Sequence, residues 1–438
     1  MDEIQGLVFS KRPRLKELYE REKETKLLEY LGRVHDGSIS NSKVIEIVKD
    51  EVKKVFADES LSGKIEDYFS KTNYVSTVDH HGLLSHASFV QAHLLQSIVN
   101  KEKNLPLVLV FSSGTVSLDN HTFPRGLTFH TKDIERRIPI VGARHRNECV
   151  LGAKMSNEAY IKKSLLRVKR EIPLYIFNIL ERVLLQNISV SDFSTYASLT
   201  NRALFSNLPF FGGVDFIMIP HEKISVRIIL EMVEVQEKIF ANDFISKYDL
   251  EYKNIVGAHS DDLVYGTFLF WRISGGVRQK LRLAGDILET EDGSFGVEYK
   301  KETIFPLLQN GELLPAMALS YTLLGINGFK LGGGFNQVDY LEKIYTAGKK
   351  VFPNVSFGKS DVMGGDFVYA GVKSGEKVFN ATYVDILKYL ALGNKEGFIE
   401  ALQNVTLGQA ISGVLPDAYF TDTKKMSEKT YEKPIIFQ

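Results

Sequence analysis

The stretch Leu105-Pro106-Leu107-Val108-Leu109-Val110-Phe111-Ser112-Ser113-Gly114-Thr115 carries the strongest strand signal in the chain. Its continuous apolar run is typical of a strand buried on both faces, and the Ser-Ser-Gly sequence ends it. A short β-branched strand at 74–78 and a helix at about 86–100 precede it. Strand, helix and strand within about 40 residues predict a βαβ unit with two parallel strands.

Four segments are predicted: a charged helical region at 1–73, an αβ domain at 74–250 with a His- and Arg-rich segment, an αβ domain at 251–420 with a hairpin and Gly-rich turns, and a polar tail at 421–438. Helical spacing predicts one helix from Lys11 to Arg33 and another at 159–185. Gly275-Gly276 and Asp292-Gly293 are expected to close antiparallel turns. The predicted fold class is α/β or α+β, with a helical N-terminal region followed by a mixed αβ core with an antiparallel hairpin segment.

Composition excludes several classes of protein. Lys plus Arg and Asp plus Glu each number 54 among 438 residues, so the formal charge is zero. This balance argues against a protein built to bind nucleic acid or an anionic membrane. Cys149 is the single cysteine, which leaves no intrachain disulfide and favours the reducing cytoplasm. The chain lacks a run of 18 apolar residues and opens without signal-peptide features, so neither a membrane span nor secretion is expected.

Histidines are concentrated in one part of the chain, where seven of the ten lie between His80 and His145. Asp79-His80-His81 follows the first predicted strand, at the edge where open α/β sheets bind ligands. His81, oriented by Asp79, is therefore predicted as a general acid/base or metal ligand, and His145 is a further catalytic candidate. The cofactor is unknown. For a divalent metal, Zn²⁺ or Mn²⁺, the predicted ligands are His81, His86 and His121.

Residues 80–150 also lean positive, with eight Lys or Arg against five Asp or Glu. Arg125, Arg144 and Arg146 are predicted to bind substrate, because guanidinium groups pair with carboxylate or phosphate through two parallel hydrogen bonds. Ser113 and Thr115, after the strongest strand, are predicted to donate hydrogen bonds to the same anion. Gly332-Gly333-Gly334 before a predicted helix is a weaker phosphate-binding candidate.

Each of these features has a structural alternative. Ser-Ser-Gly is a common turn composition, and histidines often serve only as buried hydrogen-bonding groups. His259-Ser260-Asp261-Asp262 offers two acids beside an imidazole, but the same residues are typical of a helix N-terminus.

Three short motifs resemble fragments of known families. Asp79-His80-His81 is similar to the core of the DHH phosphoesterases, Ala258-His259-Ser260-Asp261-Asp262 to a motif of zinc de-N-acetylases, and Arg144-His145-Arg146 to the start of the flavin-dependent thymidylate synthase motif. In each case the further residues that the family requires are missing or wrongly spaced, so no family is assigned.

The favoured hypothesis is an enzyme, a hydrolase or transferase with or without a metal, that acts on a small phosphate- or carboxylate-bearing metabolite by acid–base chemistry. The alternative is a non-catalytic metabolite-binding or oligomeric assembly protein whose histidines are structural. Nucleic-acid binding is weaker than both, because the chain shows no basic stripe with interleaved aromatic residues.

Overall fold

A computed structural model describes residues 2–120, 123–259, 266–353, 355–427 and 431–437. Its α-helices are α1 (Glu3–Lys11), α2 (Pro13–Glu22), α3 (Leu27–Val34), α4 (Ser42–Phe56), α5 (Ser60–Lys71), α6 (Ala87–Glu102), α7 (Glu158–Val168), α8 (Leu174–Gln186), α9 (Phe193–Ser206), α10 (His221–Glu231), α11 (Val233–Ile239), α12 (Phe244–Tyr252), α13 (Lys301–Gln309), α14 (Met317–Ile326), α15 (Gln337–Val351), α16 (Tyr383–Ala391), α17 (Lys395–Leu402), α18 (Leu407–Ser412) and α19 (Leu415–Thr423). Short 3₁₀ helices lie at Ala143–His145, Val150–Gly152 and Pro209–Phe211.

The strands are β1 (Tyr74–Ser76), β2 (Leu107–Ser112), β3 (Asp119–Asn120), β4 (Phe123–Pro124), β5 (Gly126–Thr131), β6 (Ile134–Pro139), β7 (Asp215–Pro220), β8 (Phe270–Ser274), β9 (Val277–Ala284), β10 (Ile287–Thr290), β11 (Gly296–Glu298), β12 (Leu313–Pro315), β13 (Lys330–Gly332), β14 (Ala370–Ser374), β15 (Lys377–Asn380) and β16 (Ile435–Phe437). Helices and sheets are mixed along the chain, and the N-terminal region is helical. The predicted fold class is therefore confirmed.

The central sheet is parallel, with the strand order β13-β1-β2-β7. The unit β1–α6–β2 is the predicted βαβ unit, and β2 is buried along its whole length. Val108 and Val110 pack into one hydrophobic cluster, while Leu107 and Leu109 pack into another on the opposite face. Both faces of β2 are thus covered, which explains its continuous apolar sequence.

The sheet joins distant parts of the chain. Tyr74 in β1 pairs with Lys330 in β13, so a strand from the 251–420 segment completes the sheet that begins in the 74–250 segment. In the predicted polar tail, Ile435–Phe437 forms β16 alongside β14.

The single helix predicted from Lys11 to Arg33 is wrong, because the chain forms α1, α2 and α3 there. Pro13 lacks a backbone N–H and disfavours helical geometry at the residue before it, and Arg12 has φ −133° and ψ 73°. The helix predicted at 159–185 is likewise divided by Pro173, which lies directly before α8.

The predicted hairpin segment is confirmed in a second, antiparallel sheet with the order β11-β10-β9-β8-β12. Gly275 and Gly276 have φ values of +57° and +82°, which two-residue turns between twisted strands require and glycine adopts without strain. The strands β10 and β12 of this sheet were not predicted. Among the described residues, no helix is both long enough and apolar enough to cross a membrane.

Candidate functional site

Polar loops meet at the carboxyl edge of the central sheet. The loops after β1 and β2 are joined by backbone bonds: Ser113 N–H donates to the carbonyl of Asp79 (2.9 Å), and His81 N–H donates to the carbonyl of Ser113 (2.8 Å). Thr77 donates its hydroxyl to Gln337 Oε1 (3.0 Å), which links these loops to the start of α15. Ligands of open α/β sheets bind at this edge, so we take it as the candidate site.

Ser113 and His221 contact each other across this edge. His221 follows β7 directly, and its Nε2 lies 3.0 Å from Ser113 Oγ. The imidazole is fully buried, and burial lowers the pKa of His221, which leaves the ring neutral near pH 7. Its Nδ1 faces Glu222 Oε2 at 3.6 Å. Nδ1 has no hydrogen-bond partner in the described structure, and in the tautomer that carries its proton there, Nε2 accepts the hydroxyl proton of Ser113.

Glu222 fills the loop after β2. Both of its carboxylate oxygens accept the backbone N–H of Gly114, each at 3.0 Å from the nitrogen. Its Oε1 also accepts the N–H and the hydroxyl of Thr115, both at 2.9 Å. The predicted anion-binding loop thus holds a buried carboxylate of the protein itself. Thr115 directs its hydroxyl to Glu222, whereas Ser113 is half-buried at the edge of the site.

His81 lies in the protein interior. Its Nε2–H donates to the carbonyl of Ser194 (2.9 Å), and its Nδ1 accepts from the hydroxyl of Ser112 (2.7 Å). Burial lowers the pKa of His81 to about 4, so the ring is neutral. Both ring nitrogens are therefore occupied by protein groups, and Asp79 contacts a different histidine.

Asp79 contacts His93 rather than His81. Its Oδ2 lies 2.6 Å from His93 Nε2, and both side chains are fully buried. Nδ1 of His93 faces Gln96 Oε1 at 3.3 Å. The Gln96 amide is oriented because its Nε2–H donates to the carbonyl of Gly364 (2.8 Å). The His93 ring thus lies between two acceptors, the Asp79 carboxylate and the Gln96 amide oxygen.

His80 and His86 line the outer part of the site. Both are half-buried, and both rings pack on Phe89, with centroid separations of 6.3 Å and 5.6 Å respectively. His80 Nδ1 lies 3.1 Å from Asn120 Oδ1, and His86 Nδ1 lies 3.0 Å from Ser88 Oγ.

Asp366 reaches the same edge from the loop before β14. Ser88 donates its hydroxyl to Asp366 Oδ1 (2.9 Å), and the N–H of Phe335 donates to Oδ2 (3.2 Å). The carboxylate lies against Gly334, where a Cβ atom would come within 1.7 Å of Oδ2. A second Gly-rich loop is therefore also filled by a carboxylate of the protein.

The predicted arginines lie in two loops that are joined to the site through Asp119 and Asn120, and we call these loops the rim. Arg125 Nε lies 3.3 Å from Asp119 Oδ2, and His145 Nδ1 lies 2.6 Å from Glu148 Oε1. Arg144 and Arg146 are exposed, and neither forms an ion pair with any residue that the structure describes. Their loop is joined to the site because Asp119 N–H donates to the carbonyl of Arg146 (3.1 Å).

The metal hypothesis stays a prediction. Across the described ranges, no group of three or more His, Cys, Asp or Glu side chains could hold a metal ion. His121 and Ser260-Asp261-Asp262 lie outside the described residues, and His259 Nε2 lies 2.9 Å from Asp249 Oδ1. Metal analysis of the purified protein tests the hypothesis for Zn²⁺ and Mn²⁺.

Several residues at this edge were missed by the sequence analysis, namely His93, His221, Glu222 and Asp366. A signal was present for two of them, because His221 and Glu222 directly follow the apolar sequence of β7, just as Asp79 comes shortly after β1. Asp366 carries no such signal, because the loop of 355–369 that brings it to the edge has no strand pattern.

Comparison of the sequence with models of known protein families gives no match. Comparison with curated proteins gives none either.

Proposed function

We propose that the protein is an enzyme, a hydrolase or transferase, that acts on an ester bond of a small anionic metabolite by acid–base chemistry. The observation that carries this proposal is the 3.0 Å contact between Ser113 Oγ and Nε2 of the neutral His221. A hydroxyl beside a neutral imidazole can be deprotonated as it attacks an electrophile.

The proposed step uses three groups. Ser113 Oγ forms a bond to the carbonyl carbon or phosphorus of the substrate while its proton moves to His221 Nε2. The bond to the ester oxygen then breaks as His221 returns the proton to that oxygen, and water or an acceptor hydroxyl, deprotonated by His221, releases the product from Ser113. Glu222, 3.6 Å from Nδ1, stabilises the imidazolium that results. Its hydrogen bonds to Gly114 and Thr115 hold the carboxylate in place before the reaction begins.

The anionic character of the substrate is supported by the rim. Arg144 and Arg146 are exposed beside the site, and half-buried His80 lies between the rim and Ser113. Exposed positive groups attract anionic substrates. We further propose a cytoplasmic location, because a chain with the single cysteine Cys149 does not depend on an intrachain disulfide.

A second candidate function, the binding or assembly protein, is favoured by one observation. Leu166, Leu174 and Tyr175 on the contacting helices α7 and α8 are 61%, 63% and 41% exposed. Exposed apolar side chains on neighbouring helices are typical of a surface that another protein covers. Sedimentation of the wild-type protein and of Leu174→Lys tests it: a dimer that the substitution dissociates favours assembly.

Labelling with a fluorophosphonate, which forms a covalent bond with activated serines, tests the enzymatic proposal. We expect mass spectrometry to find the adduct on Ser113 in the wild-type protein, and we expect His221→Ala to lower the labelling rate at least 100-fold. Ser117→Ala, four residues along the same loop, is the matched control and should label normally. An adduct absent from Ser113, or equal labelling of His221→Ala, contradicts the proposal.

A further inference from the structure

His80 lies opposite Ser113 where the chain segments after β1 and β2 run side by side. The two residues form a parallel β-bridge. Hydrogen bonds flank this bridge on both sides, from Ser113 N–H to the carbonyl of Asp79 (2.9 Å) and from His81 N–H to the carbonyl of Ser113 (2.8 Å). Paired residues of neighbouring strands are about 4.8 Å apart, and their side chains extend from the same face of the sheet. The imidazole of His80 and the hydroxyl of Ser113 therefore extend side by side.

The burial of the neighbouring residues supports this arrangement. His80 and Ser113 are half-buried, whereas the adjacent His81 and Ser112 are fully buried. His81 Nδ1 lies 2.7 Å from Ser112 Oγ, so these two side chains contact each other in the interior. Because successive residues of a strand face opposite sides of a sheet, the accessible side of this edge carries His80 and Ser113.

Ser113 lies between two imidazoles. Ser112 pairs with Pro220 in the ladder of β2 and β7, so His221, the next residue, aligns with Ser113. This side of Ser113 is closed, because the imidazole of His221 is buried and its Nε2 lies 3.0 Å from Oγ. The side towards His80 is partly open, since both His80 and Ser113 are half-buried. A substrate that reaches Ser113 from this side therefore lies against His80.

The backbone N–H groups at Ser113 are occupied by protein acceptors. Ser113 N–H donates to the carbonyl of Asp79, and the N–H groups of Gly114 and Thr115 donate to Glu222. When Ser113 attacks a carbonyl or phosphoryl group, negative charge forms on an oxygen of that group, and preorganised donors stabilise this charge. Since these three N–H groups are not available to that oxygen, the adjacent side chain of His80 takes their place.

Asn120 on β3 orients the His80 ring. Asn120 Nδ2–H donates to the carbonyl of Ser117 (2.7 Å), which leaves Oδ1 facing His80 Nδ1 at 3.1 Å. Nδ1 donates to this oxygen, and the protonated ring has one further donor, Nε2–H. The ring of Phe89 packs against the imidazole with a centroid separation of 6.3 Å. The direction of Nε2–H is thus set by the protein itself.

We propose that His80 is a further catalytic residue, whose Nε2–H donates to the substrate oxygen on which negative charge forms when Ser113 attacks. This inference rests on the proposed function and adds the group that stabilises this charge. The negative charge on the oxygen in turn favours the protonated imidazole. His80 keeps its proton throughout the reaction, so the proton transfers remain those of His221.

The rate of fluorophosphonate labelling tests this role, because negative charge also forms on the phosphoryl oxygen of the probe. We expect His80→Ala to lower the rate of labelling at Ser113 about 100-fold. Lys163→Ala, which removes an exposed positive charge from α7, is the matched control and should label at the wild-type rate.

The outcomes separate the two proposals. An unchanged labelling rate in His80→Ala overturns the role of His80 but leaves Ser113 and His221 in place. A wild-type protein that does not label at Ser113 removes the proposed function, and the role of His80 with it.

A second measurement uses the wild-type protein and does not depend on the rate. The ring resonances of His80, identified by their absence in His80→Ala, are recorded in ¹H–¹⁵N spectra before and after Ser113 is labelled. We expect the adduct to produce a downfield Nε2–H proton resonance and the ¹⁵N shifts of a protonated ring, because the phosphoryl oxygen is then held beside Nε2. Ring resonances that the adduct leaves unchanged overturn the inference, even if His80→Ala labels slowly.

Discussion

Both carboxylate oxygens of Glu222 lie 3.0 Å from the backbone nitrogen of Gly114. This contact connects the ends of the neighbouring strands β2 and β7 through a side chain. The loop after β2 has the composition of an anion-binding site, but the Glu222 carboxylate already occupies it, so external anions cannot bind there.

Glu222→Gln tests the contribution of this contact to stability. The amide keeps the shape of the side chain, but its NH₂ group would face N–H and O–H donors, leaving a buried donor unsatisfied. We expect the free energy of unfolding to fall by about 1–3 kcal/mol, measured by guanidinium denaturation. Glu237→Gln on the exposed side of α11 should change it by less than about 0.5 kcal/mol. Similar values for the two variants would contradict the assignment.

Asp79→Asn tests which histidine Asp79 orients. The asparagine side chain contacts the same ring but lacks the negative charge of the carboxylate beside His93. His81 keeps its partners Ser112 and Ser194. We therefore expect the ring resonances of His93 to shift in ¹H–¹⁵N spectra and those of His81 to stay in place. A shift confined to His81 is the opposite result and would restore the prediction made from the sequence.

His35→Phe tests the cost of a buried imidazole. His35 packs on Tyr74 with a ring separation of 4.5 Å, and neither ring nitrogen has a hydrogen-bond partner in the described structure. Burial lowers the pKa of His35 to about 3, below the value of about 6.5 in the unfolded chain. As the pH falls from 6.5 towards 3, the imidazole of His35 is therefore protonated only in the unfolded state. The stability of the wild-type protein decreases over that range.

Phenylalanine cannot be protonated, and it keeps the aromatic contact with Tyr74. We expect the stability of His35→Phe relative to wild type to increase by about 2 kcal/mol between pH 7 and pH 5. Denaturant unfolding at several pH values measures the difference. A difference that does not vary with pH would show that His35 takes up its proton over the same pH range in the folded and the unfolded protein.

Gly334→Ala tests the position of Asp366. An added Cβ would come within 1.7 Å of Asp366 Oδ2, so the carboxylate must move or the loop must shift. We expect a loss of about 1–3 kcal/mol in the free energy of unfolding. Gly397→Ala, on α17 with open space at the Cβ position, should instead stabilise the protein by about 0.5–1 kcal/mol. Thermal or chemical denaturation of both variants gives the comparison.

Local sequence patterns were sufficient for the βαβ unit and for the antiparallel hairpin. The apolar run of β2 and the paired glycines at 275–276 each specify their own conformation, and the same rule placed Asp79 and Ser113 at one edge. Pro13 and Pro173 could also have shown that the long helices are divided.

The pairing of side chains could not be predicted in this way. Asp79 is adjacent to His80 and close to His81 in the sequence, but its carboxylate points to His93 on α6, a direction that depends on how the helix packs on the sheet. Asp366 reaches Gly334 only because the loop of 355–369 crosses the end of β13. Contacts of this kind depend on tertiary packing, and residue spacing does not encode them.

The pairing of Tyr74 with Lys330 has a consequence for how the chain folds during synthesis. Until the ribosome has released β13, one edge of β1 has no neighbouring strand, and the backbone groups along it are open to pairing with other chains. Parallel strands far apart in sequence also pair slowly, because a long loop must close first. The nascent chain therefore passes through a prolonged stage with an unpaired sheet edge. Binding by molecular chaperones would protect the chain most at this stage.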